Sequence, residues 1–134
     1  MVFLVGSGYR PYEFEGFGTQ IQDATPRLRE ALDIGDAARR EEVMRALRAP
    51  ISSCSGLSEG VSPHAGYTVS DALLKEIGEH LGVRPVAVQV HWNETREEKD
   101  WEDGQPSGFD GLAMASSGQK TLERLDAAGL LRQP

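Results

Sequence analysis

Between Thr68 and Trp92 the spacing of apolar positions changes once. Val69, Leu73, Ile77 and Leu81 recur every four residues, which puts them on one stripe of a helix. Asp71, Lys75 and Glu79 repeat on the opposite side and alternate in sign. Val86, Val88, Val90 and Trp92 then alternate with Ala87, Gln89 and His91, the period of a strand with one buried face. The pattern predicts a helix capped by Thr68 and Asp71, stopped by Gly82 and Pro85, and followed by a strand. Alternation of this kind favours a sheet covered on one side, hence antiparallel or mixed pairing.

The remaining segments are arranged around that unit. Val2 to Val5 is wholly apolar and predicts a strand buried on both faces, central in its sheet. Tyr9, Tyr12, Phe14 and Phe17 follow in a glycine-rich stretch, as a cap on the core edge or as a ligand surface. Thr25-Pro26 opens a helix with Leu28, Ala31 and Leu32 inward and Gly35 at its end. Asp36 caps a second helix with Val43, Met44 and Leu47 inward, and Arg39, Arg40, Arg45 and Arg48 on a solvated face. Two long loops are expected, at about 51–67 and 93–108. Leu112 to Ala115 predicts a short strand. Ser116 and Gln119 form a capping box for a last helix, with Leu122 and Leu125 inward and Gly129 as terminator. The fold class expected is α+β, one domain over 1–134: a small mixed or antiparallel sheet of about three to four strands packed with about three to four helices.

Composition narrows the function. A net charge of −7 over 134 residues argues against nucleic acid or an anionic membrane as partner. The single Cys54 excludes an internal disulfide and fits a reducing, cytoplasmic compartment. No apolar run is long enough to span a membrane, and MVFLVGSGYR lacks the basic start of a signal peptide.

Candidate chemistry is scattered. Gly56-Leu57-Ser58-Glu59-Gly60 matches the nucleophile-elbow pattern, but that chemistry needs a strand before the serine and a helix after it. Cys54 with His64 or His91 is a candidate thiol–imidazole pair, because an imidazole can take the thiol proton. The three histidines lack the helical spacing of a metal motif, so no metal and no cofactor are expected. Ser116, Ser117 and Lys120 precede a helix and are a candidate phosphate-binding group. Glu76-Ile77-Gly78 and the LGVRPVAV that follows resemble a stretch of nucleoside deoxyribosyltransferase-like folds, one residue short in spacing. That resemblance implies a catalytic glutamate at Glu76. Gly78 also suits close helix packing. TLERLDAAGLLR resembles the recognition helix of winged-helix proteins, but the net charge opposes DNA binding.

Two function classes follow. The first is a small acidic protein that occupies or inhibits a protein partner, in the manner of an immunity protein. Trp101 among Glu97, Glu98 and Asp100 would be its anchor, with the charges steering association. The alternative is a small enzyme or sensor for a nucleotide, nucleoside or other phosphorylated ligand, drawing on Glu76, His64, His91 and Cys54.

Overall fold

The computed structural model describes residues 2–5, 27–49, 59–82, 86–109, 111 and 113–132. The strands are β1 (Val2–Val5), β2 (Arg27–Ala31), β3 (Glu59–Pro63) and β4 (Ala87–His91). The helices are α1 (Ala37–Arg48), α2 (Asp71–Leu81), α3 (Arg96–Glu102) and α4 (Thr121–Ala127), and a 3-10 turn covers Leu130–Arg132. The α-and-β class and the element numbers agree with the sequence. The sheet direction does not: the order is β1-β4-β3-β2 and every pairing is parallel.

Two corrections explain that difference. Arg27–Ala31 is a strand, although Thr25-Pro26 and the spacing of Leu28, Ala31 and Leu32 suit a helix. Five-residue pairing with β3 overrides that local preference. Glu59–Pro63, inside the expected 51–67 loop, is a strand as well. Its Gly60 marks close approach: a Cβ there would stand 2.8 Å from the Ala87 carbonyl oxygen of the next strand. With both strands restored, the chain alternates β2-α1-β3-α2-β4, the connectivity that yields parallel pairing. β1 lies at one edge of the described sheet, not at its centre.

The helix starts are also shifted. Ser70, not Thr68, caps α2: its side-chain oxygen accepts from the Leu73 N–H at 3.1 Å. Asp36 caps α1 as expected, accepting from the Arg39 N–H at 2.8 Å. The expected 93–108 loop contains α3, where Thr95 accepts from the Glu98 N–H at 3.2 Å. No strand forms at Ala113–Ala115, and Leu112 lies outside the described residues. α4 begins at Thr121, where Glu123 Oε2 accepts from the Lys120 N–H at 3.2 Å, so Ser116 and Gln119 do not cap it.

One core joins these elements. Met44 and Leu47 of α1, Leu73, Leu74, Ile77 and Leu81 of α2, Val61, Val88 and Val90 of the sheet, and Leu125 and Leu130 are buried together. Along β4 only Val88 and Val90 are buried, which is the alternation the sequence shows. Gly78 lets α2 and α4 meet, since a Cβ there would collide with the Ala128 carbonyl. Among the described residues, no helix is long and apolar enough to cross a membrane.

Candidate functional site at the strand ends

β3 and β4 are parallel neighbours, so their carboxyl ends open on the same edge of the sheet. His64 follows β3 directly and His91 is the last residue of β4. The backbone fixes them side by side. The Ala31 carbonyl accepts from the His64 N–H at 3.0 Å, and the His64 carbonyl accepts from the His91 N–H at 2.9 Å. The ring centroids are 5.4 Å apart. In open parallel sheets this edge is where ligands bind, because the loops there are free to vary over a rigid base.

Each imidazole has its Nδ1 occupied. Thr68 Oγ1 lies 2.8 Å from His64 Nδ1 and donates its own proton to the Ala65 carbonyl at 3.2 Å. A hydroxyl has one proton to give, so with that proton on the Ala65 carbonyl the contact to Thr68 is made by His64 Nδ1–H. On His91, Nδ1 is 3.1 Å from Glu94 Oε1, a carboxylate that only accepts. Both rings in their neutral form therefore carry the lone pair on Nε2. That is the arrangement of a base or of a nitrogen ligand whose other nitrogen is anchored.

Aromatic rings extend the site. Tyr67 meets His64 edge-on at 6.0 Å and stacks on Phe109 at 4.1 Å. Burial raises the Tyr67 phenol above its ordinary value, and the charges of Glu98 and Glu94 add to this. The loop carrying Thr68 is pinned from two sides. Asp33, fully buried just after β2, accepts from the Ser70 N–H at 2.9 Å and hydroxyl at 2.5 Å. The Thr68 carbonyl in turn accepts from the Asp33 and Ile34 N–H groups. Arg124 of α4 donates to Asp71, to the Gly66 carbonyl at 2.7 Å and to the Val69 carbonyl at 2.5 Å.

Of the residues selected from sequence, His64 and His91 come together. Cys54 lies outside the described residues, so its pairing with them is not described. Glu76 is elsewhere, on α2, in ion pairs with Arg40 at 3.2 Å and Arg48 at 3.7 Å. The glutamate role implied by the deoxyribosyltransferase resemblance has no support in that position. Ser58 lies outside the described residues, but Glu59 and Gly60 begin a strand, whereas an elbow serine is followed by a helix. Ser116 Oγ accepts from the Gly118 N–H at 3.1 Å, Ser117 Oγ from the Gln119 N–H at 3.4 Å, and Lys120 is paired with Asp103. Lys120 and Lys99 hold the Asp103 carboxyl down at about 2. The aromatics Tyr9 to Phe17 lie outside the described residues.

Sequence reasoning missed Glu94, Thr68 and Tyr67. The signal was present in the spacings His64-Thr68 and His91-Glu94, four and three residues apart at strand ends. It could be read only after β3 had been recognised as a strand. Among the described residues, no group of three or more His, Cys, Asp or Glu side chains gathers tightly enough to hold a metal ion.

No family model matches the chain, and no solved structure matches it. It is similar to three curated proteins, each called 5'-deoxyadenosine deaminase. The one from Methanoregula boonei is 38% identical over 72 residues, 50% of this chain and 16% of that protein. The one from Methanopyrus kandleri is 30% identical over 105 residues, 75% of this chain and 22% of the relative. The one from Methanothermobacter thermautotrophicus is 27% identical over the same length and shares. The matched stretch thus spans about a fifth of these relatives or less.

These relatives overturn the expectation of an inhibitor or binding protein with a protein partner, since all three carry the name of a nucleoside-acting enzyme. Geometry agrees at the supposed anchor. Trp101 is 5% exposed, and its Nε1–H donates to the Met114 carbonyl at 2.6 Å. Glu98 is buried too. Glu97 and Asp100 share α3 with them, so the acidic segment is a packed helix and not a loop displaying a tryptophan.

Proposed function

We propose that this chain forms the active site of a hydrolytic deaminase acting on a 5'-deoxyadenosine-like nucleoside, with His64, His91 and Glu94 at the reacting edge. The observation that supports it most is the pair of anchored imidazoles with a carboxylate at the ends of adjacent parallel strands, in a chain similar to named deaminases. Deamination replaces an exocyclic amine by oxygen. Water bonds to the amino-bearing ring carbon, the carbon–nitrogen bond breaks, and ammonia leaves with a proton that came from the water. Glu94 is suited to carry that proton, as a half-exposed carboxylate beside His91. The Nε2 lone pairs of His64 and His91 are suited to accept hydrogen bonds from the water or from the purine amine. The cytoplasm is part of the proposal, on the ground of the lone Cys54.

The test is ammonia release from 5'-deoxyadenosine, followed with the ultraviolet change from adenine to hypoxanthine. Wild-type protein turns over, and Glu94→Gln and His91→Ala each lose at least about a hundredfold in kcat/KM. Wild-type protein that releases no ammonia from 5'-deoxyadenosine or adenosine ends the proposal.

A further inference from the structure

Glu98 is 1% exposed, in the first turn of α3. A carboxylate in that setting is costly to desolvate, and burial raises its pKa above the ordinary value. Leucine or methionine would fill the same space without that cost. What the carboxylate does is specific. In a capping box the acid at this position returns to the N–H of the capping residue itself, here Thr95. Glu98 reaches further back. Its Oε2 accepts from the Glu94 N–H at 2.8 Å, and the neighbouring Asn93 backbone also favours its charged form. Asn93 holds a left-handed backbone, φ 54°, so the chain turns sharply between His91 and Glu94. The other oxygen, Oε1, has no hydrogen-bond partner among the described residues.

From this geometry we infer that Glu98 is a positioning residue: its buried carboxylate clamps the turn after β4 and thereby sets the Glu94 carboxylate against His91 Nδ1. The inference concerns the same edge as the deaminase proposal and rests on it for its catalytic meaning, but not for its structural content. Glu98 itself touches no reacting atom in this scheme. It acts through Glu94, as the groups behind a ligating or basic histidine commonly do.

The experiment compares wild-type protein with Glu98→Gln, which keeps an acceptor oxygen, and Glu98→Leu, which keeps the volume and removes the acceptor. The first readout is the 15N spectrum of the histidine rings. His91 is protonated on Nδ1 in wild type and in Glu98→Gln, and becomes a tautomer mixture in Glu98→Leu. His64, held independently by Thr68, stays unchanged in all three and reports that the fold is intact. The second readout is deamination: Glu98→Leu lowers kcat about tenfold or more with KM within about twofold, and Glu98→Gln restores most of it. An unchanged His91 tautomer in folded Glu98→Leu overturns the inference. A tautomer change in protein whose wild type has no deaminase activity supports the clamp and removes the deaminase proposal, so the two fail separately.

Discussion

Thr68 Oγ1 sits 2.8 Å from His64 Nδ1 and gives its only proton to the Ala65 carbonyl. With its proton there, the neutral His64 ring keeps its lone pair on Nε2. Thr68→Val keeps the shape and removes the acceptor. We expect His64 to lose its fixed tautomer and kcat/KM for 5'-deoxyadenosine to fall about tenfold, with Thr68→Ser close to wild type. Ring 15N shifts and steady-state kinetics check this, and equal kinetics for Val and Ser would refute it.

Glu98 gives a pH-dependent stability of defined sign. Its folded pKa is raised above the ordinary 4.5, chiefly by burial. Its contribution is therefore fully present below that ordinary value and is lost as the pH rises through the raised one. Glu98→Gln removes the titration. The stability of the variant relative to wild type should rise with pH across that window, as read by urea unfolding at a series of pH values. A flat difference would contradict the raised pKa.

Asp33 ties the end of β2 to the start of α2 through the Ser70 N–H and hydroxyl. Asp33→Ala strands those donors in a buried place and should cost about 3 kcal/mol by chemical unfolding. Because the Asp33 and Ile34 N–H groups hold the Thr68 carbonyl, the His64 ring signals should broaden in the same variant.

Gly78 faces the Ala128 carbonyl at the α2–α4 contact. Gly78→Ala improves helix propensity but forces the helices apart. The net effect expected is a loss of about 1–3 kcal/mol, measured as a lowered denaturant midpoint. A raised midpoint would show that propensity wins.

The parts of the fold legible in the sequence were those with a full period. The α2 stripe and the β4 alternation each repeat often enough to identify themselves, and Leu73, Ile77, Leu81, Val88 and Val90 are all buried. β2 and β3 are five residues each, and their strand character comes from pairing with one another. Gly60 and Pro63 look like loop residues, yet the glycine is required by the neighbouring strand. α3 lacks an apolar stripe, so its charges read as a solvated loop although Trp101 is packed. Missing β3 concealed the site, because His64 then had no strand end to stand on. The histidines were visible as residues but not as neighbours.

Arg124 gives the candidate site a place in the order of folding. It grips the Gly66 and Val69 carbonyls from 58 and 55 residues downstream. The β3-α2-β4 unit needs only nearer contacts, and loops that close over longer separations form later. We expect the β3–β4 pairing to be protected before the segment holding Thr68, which follows when α4 docks. Pulsed hydrogen exchange during refolding would display that sequence as late protection of the 64–70 amides, and simultaneous protection would refute it. On this view a newly made chain has its β3-α2-β4 unit before its histidine is aimed, and competence for chemistry waits on residues made long after the histidine itself.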